Sequence, residues 1–366
     1  MQKFNIQHFT LKLKSAILTL FMLIMTSFSA TAEHSTENNH EDKGFNAGEL
    51  IMHHVMDNHE IHIGPLHIPL PIILYSKEKG FDFFMSSNLT HGSSYNGYAM
   101  VHEKIYHVGA EGELTHDEHG HVVADRPLDL SITKSVFGML LTMGIMLFVF
   151  ISISNSYKKR ERMAPQGMQS FFEPLILFVK DEIAKPSIGK KYQKFLPYLL
   201  TIFFFIWIGN MLGLIPFIGG FNVTGNIAVA LVLALFTFVI TSVNGNKDYW
   251  KHIYNTPGVP WWLKFPIPLM FFIEFIGFIS KPVVLTLRLF ANITAGHIII
   301  LSFVSLIFIF NNLYGAGGGY GVSILSVAFS IFMFAIELLV AFLQAYVFTL
   351  LSALYFGSAV EEHHAH

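Results

Sequence analysis

The chain has 366 residues, 52% hydrophobic and 15% aromatic but only 13% charged. Soluble domains carry about 25% charged residues, so this composition is that of an integral membrane protein. A net charge of −2 argues against a nucleic-acid partner, and the absence of cysteine excludes disulfides, thiolate zinc sites and thiol nucleophiles.

At the N-terminus, Lys3, Lys12 and Lys14 precede an apolar run over 16–28, and Ala30-Thr31-Ala32 supplies a small-residue cleavage site before Glu33. Residues 1–32 therefore read as a secretory signal peptide. An uncleaved anchor helix is the alternative, although the run is short for a membrane span. Cleavage would leave a mature chain starting near Glu33, outside the inner membrane. Residues 33–127 contain thirteen of the nineteen histidines. They begin with the polar stretch HSTENNHEDKG, and short β-branched and aromatic runs broken by Gly, Pro and Asn follow. That pattern predicts a small β-rich extracytoplasmic region. It contains no catalytic constellation.

Residues 128–366 read as the membrane domain. Apolar segments fall at 136–154, 196–215, 227–243, 267–310 and 322–357, so about five membrane-inserted helices are expected in an all-α integral membrane fold. The loop 158–194 holds nine Lys and Arg, the connections 217–225 and 311–321 hold none, and 244–266 holds Lys247, Lys251 and Lys264. Positive charge therefore alternates between sides, with the N-terminus outside and the C-terminus in the cytoplasm. Within the first basic loop, SFFEPLILFVKDEIAKP is too short and too charged to span. Its apolar residues recur at helical spacing, which fits either a surface helix on the bilayer or a short helix packed on other protein.

The last two segments exceed the roughly 20 residues needed to cross, so they must tilt or bend. The glycine-rich NNLYGAGGGYG joins them, which predicts a long tilted C-terminal helical hairpin turning near Gly317. His297 lies twenty residues before Gly317 and Glu337 twenty after; Arg288 lies twenty-nine before and Gln344 twenty-seven after. In antiparallel helices equal distance from the turn means equal height. His297 should face Glu337, and Arg288 should come close to Gln344, in two layers about 13 Å apart at 1.5 Å per residue. Asn292, one turn after Arg288, stays on the arginine's side, and Glu274, fourteen residues before it, returns to nearly the same face. An arginine at mid-bilayer costs roughly 2.5–3.5 kcal/mol on insertion scales. Arg288 has no carboxylate within a turn or two on its own helix, nor at its level on the partner helix. That gap suggests a counter-charge from another chain. A Glu and a His at one depth form a titratable pair able to pass protons. Asn210 and Asn226 read as structural polar residues, and interhelical bonding is the plainer reading of Asn292 as well.

The segments PVVLTLRLFANITAGH and ELLVAFLQAYVFTLLSALY, with FFFIWIGNMLGLIPF and TGNIAVALVLAL upstream, resemble the a subunit of the rotary F-type ATP synthase. The resemblance covers roughly 171–357. It implies a proton-translocating stator subunit in the cell inner membrane, working against a c-subunit ring and joined to the b subunit of the peripheral stalk. By resemblance Arg288 is the essential arginine facing the ring, and Glu274, Asn292, His297, Glu337 and Gln344 serve proton translocation. His297 and Glu337, with Glu274 as a further candidate, would line an outer half-channel, and the inner one should open near Lys281. Ala291 stands where many members have glycine. No P-loop is present, so the chain is expected to be non-catalytic on its own and to need no cofactor or metal. The alternative is a metal or cation transporter with a histidine-rich extracytoplasmic domain, motivated by His53, His54, His59, His62 and the tail EEHHAH. Transporters usually carry internal repeats, and none is visible here. An intramembrane enzyme would need a Ser–His or H-E-x-x-H arrangement, which is lacking.

Overall fold

The computed structural model describes residues 46–48, 51–52, 56–63, 66–77, 79–92, 94–101, 103–108, 124–159, 163–215, 221–254 and 269–361. The expected signal peptide, His53, His54 and most of the tail EEHHAH lie outside the described residues. The chain divides into two compact units, the first mainly 56–134 and the second mainly 135–214 with 222–366.

The first unit is built of short antiparallel strands. β1 (Glu60–Ile63) pairs with β2 (Leu66–Pro69), and β3 (Pro71–Ser76) sits between β4 (Gly80–Met85) and β7 (Leu128–Asp129). β5 (Tyr98–Val101) pairs with β6 (Lys104–His107). Before β5, Asn96 and Gly97 both take positive φ, 52° and 78°, and Tyr95 and Tyr98 exchange backbone hydrogen bonds of 2.9 Å across them. This is the Asn-Gly reversal that matches strand twist, so the sequence closes the turn without strain. Period-2 alternation sends Ile72, Leu74 and Phe84 inward, where they pack with Leu89, Tyr98 and Ile105. The expected boundary after 127 falls inside this sheet. Leu128–Asp129 pairs with β3, and Leu130 and Ile132 donate to the carbonyls of Ile73 and Pro71.

The second unit is helical. α1 (Lys134–Lys159) is followed by α2 (Met168–Phe178), a π-helical turn (Val179–Ala184), the short α3 (Lys185–Ile188) and α4 (Tyr192–Gly213). α5 (Ile227–Asn244) and the amphipathic α6 (Lys247–Tyr254) come next. The helical run Leu269–Val360 is broken at Gly315 (φ 70°, ψ −172°), giving α7 over 269–314 and α8 over 316–360. Only glycine adopts that conformation without steric cost. The reversal therefore falls two residues earlier than expected. Among the described residues, four runs are long and apolar enough to cross a membrane, Lys134–Lys159, Met168–Gly213, Ile227–Asn244 and Met270–Val360, the last comprising both hairpin arms.

α4 is apolar all round and forms the centre, with Phe195, Leu199, Phe203, Phe204 and Ile206 buried. Ala230 and Ala234 of α5, and Ala345 and Ala353 of α8, join the same core, small side chains that let helices approach closely. Phe195 stacks on Phe356 at 4.8 Å between ring centroids. The segment 168–188 packs on protein. Val179, Ile183 and Ala184 are fully buried in this core, and Phe172 meets Phe204 at 5.8 Å. The π turn widens the helix, so Val179, Ile183 and Ala184 turn inward while Asp181 and Lys185 pair outside at 2.5 Å.

Candidate functional site

The hairpin register determines the site. Ser326 Oγ donates to the Phe303 carbonyl, and Phe303 stacks on Phe329 at 5.3 Å, so the arms run antiparallel. The two expected layers form. In the first, Arg288 and Asn292 of α7 and Gln344 of α8 line one open depression of about 570 Å³, walled by Leu287, Leu343 and Val347. Gln344 is buried, whereas Arg288 and Asn292 are exposed on this face. Among the described residues, no carboxylate lies within ion-pair distance of Arg288.

In the second layer His297 Nδ1 lies 3.3 Å from Glu337 Oε1, with Glu337 only 3% exposed. Neither carboxylate oxygen has a hydrogen-bond partner among the described residues. The hairpin thus brings one imidazole and one carboxyl group together at a single depth. Gly296 makes the approach possible. A Cβ there would sit 2.8 Å from Glu337 Oε1. Spacing analysis missed Gly296, because its role is visible only across the two arms.

Glu274 does not join this layer. It lies near the open end of the hairpin, 3.9 Å from His252 of α6. The reason is direction along α7: Glu274 precedes Arg288 by fourteen residues, whereas His297 follows it by nine. At that same end, Lys281 stacks its ammonium over Tyr249 (5.6 Å) and Tyr355 (5.2 Å).

Asn210 and Asn226 bond to neighbouring protein groups. Asn210 Oδ1 accepts from Thr224 Oγ1, and Asn226 caps α5 by accepting the Ala228 N–H at 3.0 Å. A hydroxyl chain not foreseen from sequence ties three helices: Tyr198 to Thr237 at 2.8 Å, and Thr237 to Ser352 at 3.3 Å. Among the described residues, no group of three or more His, Asp or Glu side chains could hold a metal ion. Outside the helical unit, buried His59 lies between Glu103 (3.9 Å) and Asp129 (3.7 Å). Burial alone would lower its pKa, but the two carboxylates outweigh it and raise the value to about 9. Burial likewise opposes ionisation of Asp129, yet His59 and Ser131 bring it down to about 2.

Fold and site together define a multi-pass α-helical membrane protein whose hairpin holds a cation with no carboxylate beside it among the described residues, and a His–Glu pair. The ATP synthase A chain family matches residues 136–357, and the chain belongs to that family. It is 41% identical over 289 residues to ATP synthase subunit a of Chlorobium phaeobacteroides strain DSM 266, covering 75% of this chain and 79% of that one. The same-named protein of strain BS1 is 39% identical over 345 residues, 91% of this chain and 82% of its own. That of Myxococcus xanthus is 41% identical over 259 residues, 68% and 80% respectively. A second family, described as Domain of unknown function (DUF8433), matches residues 50–130.

Proposed function

We propose that the chain is the proton-translocating stator subunit of an F-type ATP synthase, working between two aqueous half-channels. The observation that carries this reading is Arg288, exposed in an open depression with no carboxylate pairing it among the described residues. A desolvated guanidinium needs a counter-charge, and the depression offers room for one from outside the chain. In the proposal that group is a carboxylate on a ring of c subunits moving past the face formed by α7 and α8. The fixed cation favours the ionised form of that carboxylate and so drives release of its proton. It also blocks direct passage of protons between the half-channels.

His297 and Glu337 would serve the half-channel on the turn side, relaying protons to and from the ring. Glu274, His252 and Lys281 cluster at the open end of the hairpin and would line the other. The apolar segments support about five membrane-inserted helices, and the loop charges support an N-terminus outside the inner membrane and a C-terminus inside. Residues 1–32 would be removed as a signal peptide, leaving 33–127 extracytoplasmic. Contact with the b subunit of the peripheral stalk belongs to the same reading, and nucleotide chemistry belongs to other subunits of the complex.

The test is Arg288→Ala. The complex should assemble, but ATP-driven pumping in inverted vesicles should fall to background, and passive proton permeability should rise once the soluble sector is stripped. Arg288→Lys keeps a charge without the planar, permanently charged fork and should rescue poorly. Near wild-type pumping by Arg288→Ala would reduce the arginine to a packing element and sink the assignment.

A further inference from the structure

The sheet β4-β3-β7 has one face in the core of the β unit and a second face whose side chains are exposed, with no described residue of that unit packed over it. The uncovered face is apolar throughout. Tyr75 pairs with Phe81, and Ile73 pairs with Phe83, across β3 and β4. Leu128 stands opposite Tyr75 on the other flank, and Leu130 follows two residues on, bonded to Ile73. Phe81 and Phe83 are each 71% exposed, Leu128 59% and Leu130 52%. No charged side chain interrupts these positions; the charged Asp82 and Asp129 point to the other face, Asp82 bound there by Tyr98. Isolated exposed apolar residues are ordinary, but a contiguous array of aromatic and branched side chains marks an interaction surface.

Chain continuity indicates the partner. The sheet bonding runs to Ile132, and Lys134 is already the first residue of α1, a helix long and apolar enough to cross a membrane. Two residues of chain reach about 7 Å at most. The edge of the array is thus tethered within a headgroup layer's thickness of the point where the chain enters the bilayer. Leu128, Leu130 and Ile132 alternate on the uncovered face and lead directly into that span. We propose that this face is a lipid-binding surface, seated among the headgroups and upper acyl chains of the leaflet from which α1 starts. Aromatic rings suit that zone, and an apolar face there is buried to a depth of about 5–10 Å.

The chain contains no cysteine, so single-cysteine variants report one position each. Phe83→Cys and Leu130→Cys sample the array, while Lys104→Cys, exposed on β6, samples water. Each full-length variant would carry a nitroxide label and be reconstituted into phosphatidylcholine–phosphatidylglycerol vesicles. Collision with lipid-soluble oxygen is then compared with collision with a water-soluble nickel chelate. Labels at 83 and 130 should meet oxygen several-fold more than nickel, with the ratio inverted at 104. Nickel access at 83 and 130 equal to that at 104 would overturn the proposal. So would protection from both reagents, which would mean that a protein surface, a second copy of this chain included, covers the face. Phe83 and Leu130 lie outside the core, so the substitutions leave the fold intact, and Tyr75→Cys provides an independent position on the same face.

Discussion

At the scale of single residues, the His297–Glu337 pair depends on an atom that is absent. With Gly296 replaced by alanine, the new methyl would press on Glu337 Oε1 and push the carboxylate from its imidazole partner. A side-chain terminus can yield, so Gly296→Ala should assemble normally while proton conduction through the stripped membrane sector falls several-fold. Unchanged conduction would show that the close approach is not used. A second prediction concerns His59. Its pKa is raised from 6.5 to about 9, so its contribution to stability is full below about pH 6.5 and is lost as pH rises through 9. Asp129 is lowered from 3.8 to about 2, so its contribution is present above 3.8 and is lost as pH falls through 2. Tyr98 fluorescence followed against pH should report a loosening of the β unit as pH rises through 9 that His59→Gln abolishes; an unchanged alkaline transition in the variant would rule His59 out. Arg288, Gln344, His297 and Glu337 were legible from sequence because one turn and one helical rise fix their heights. Gly296, the Tyr198–Thr237–Ser352 chain and the His59 cluster were not, because each depends on packing between elements whose pairing spacing alone does not specify.

At the scale of elements, the segment 168–188 shows what periodicity can and cannot decide. Its apolar spacing foretold a helix but fitted a bilayer surface and a protein surface equally. Val179, Ile183 and Ala184 are buried against protein while Phe171 and Leu177 of α2 stay exposed, and the π turn has no signature in the sequence. The two arms of the hairpin differ in the same way along their length. Leu289 is 1% exposed in the core, whereas Leu325 is 61% exposed near the turn. Leu289→Ala should therefore cost about 2–5 kcal/mol, and Leu325→Ala about 0.5 kcal/mol or less. Thermal unfolding of the purified chain in detergent would compare them, and equal losses would contradict the core drawn here. Gly357 is a stricter case, because a Cβ there would overlap the backbone carbonyl of Ser187, which cannot swing aside. Gly357→Ala should destabilise the contact between α8 and α3 by about 1–3 kcal/mol.

For the whole molecule, sidedness is the main proposal that rests on loop charge. A tag after Ala32 should be reachable from outside the inner membrane, and a tag at His366 only from the cytoplasm; both ends on one side would overturn the half-channel assignment. Charge bias reads sidedness well because it acts on short loops during insertion. It says nothing of how firmly each helix is held afterwards. In the helical core, Leu285 and Leu289 anchor α7, and Ala345, Phe348, Ala353 and Phe356 anchor α8, all toward the open end of the hairpin. Toward Gly315 the arms hold one another through Ser326 and the Phe303–Phe329 stack, while Leu313, Tyr314, Tyr320 and Ile324 face outward. Mechanically this resembles a cantilever whose described core contacts lie at one end. The deflection of such a beam grows steeply with distance from its clamp. For a hairpin held in this way, thermal bending would displace Gly315 most and Arg288 least.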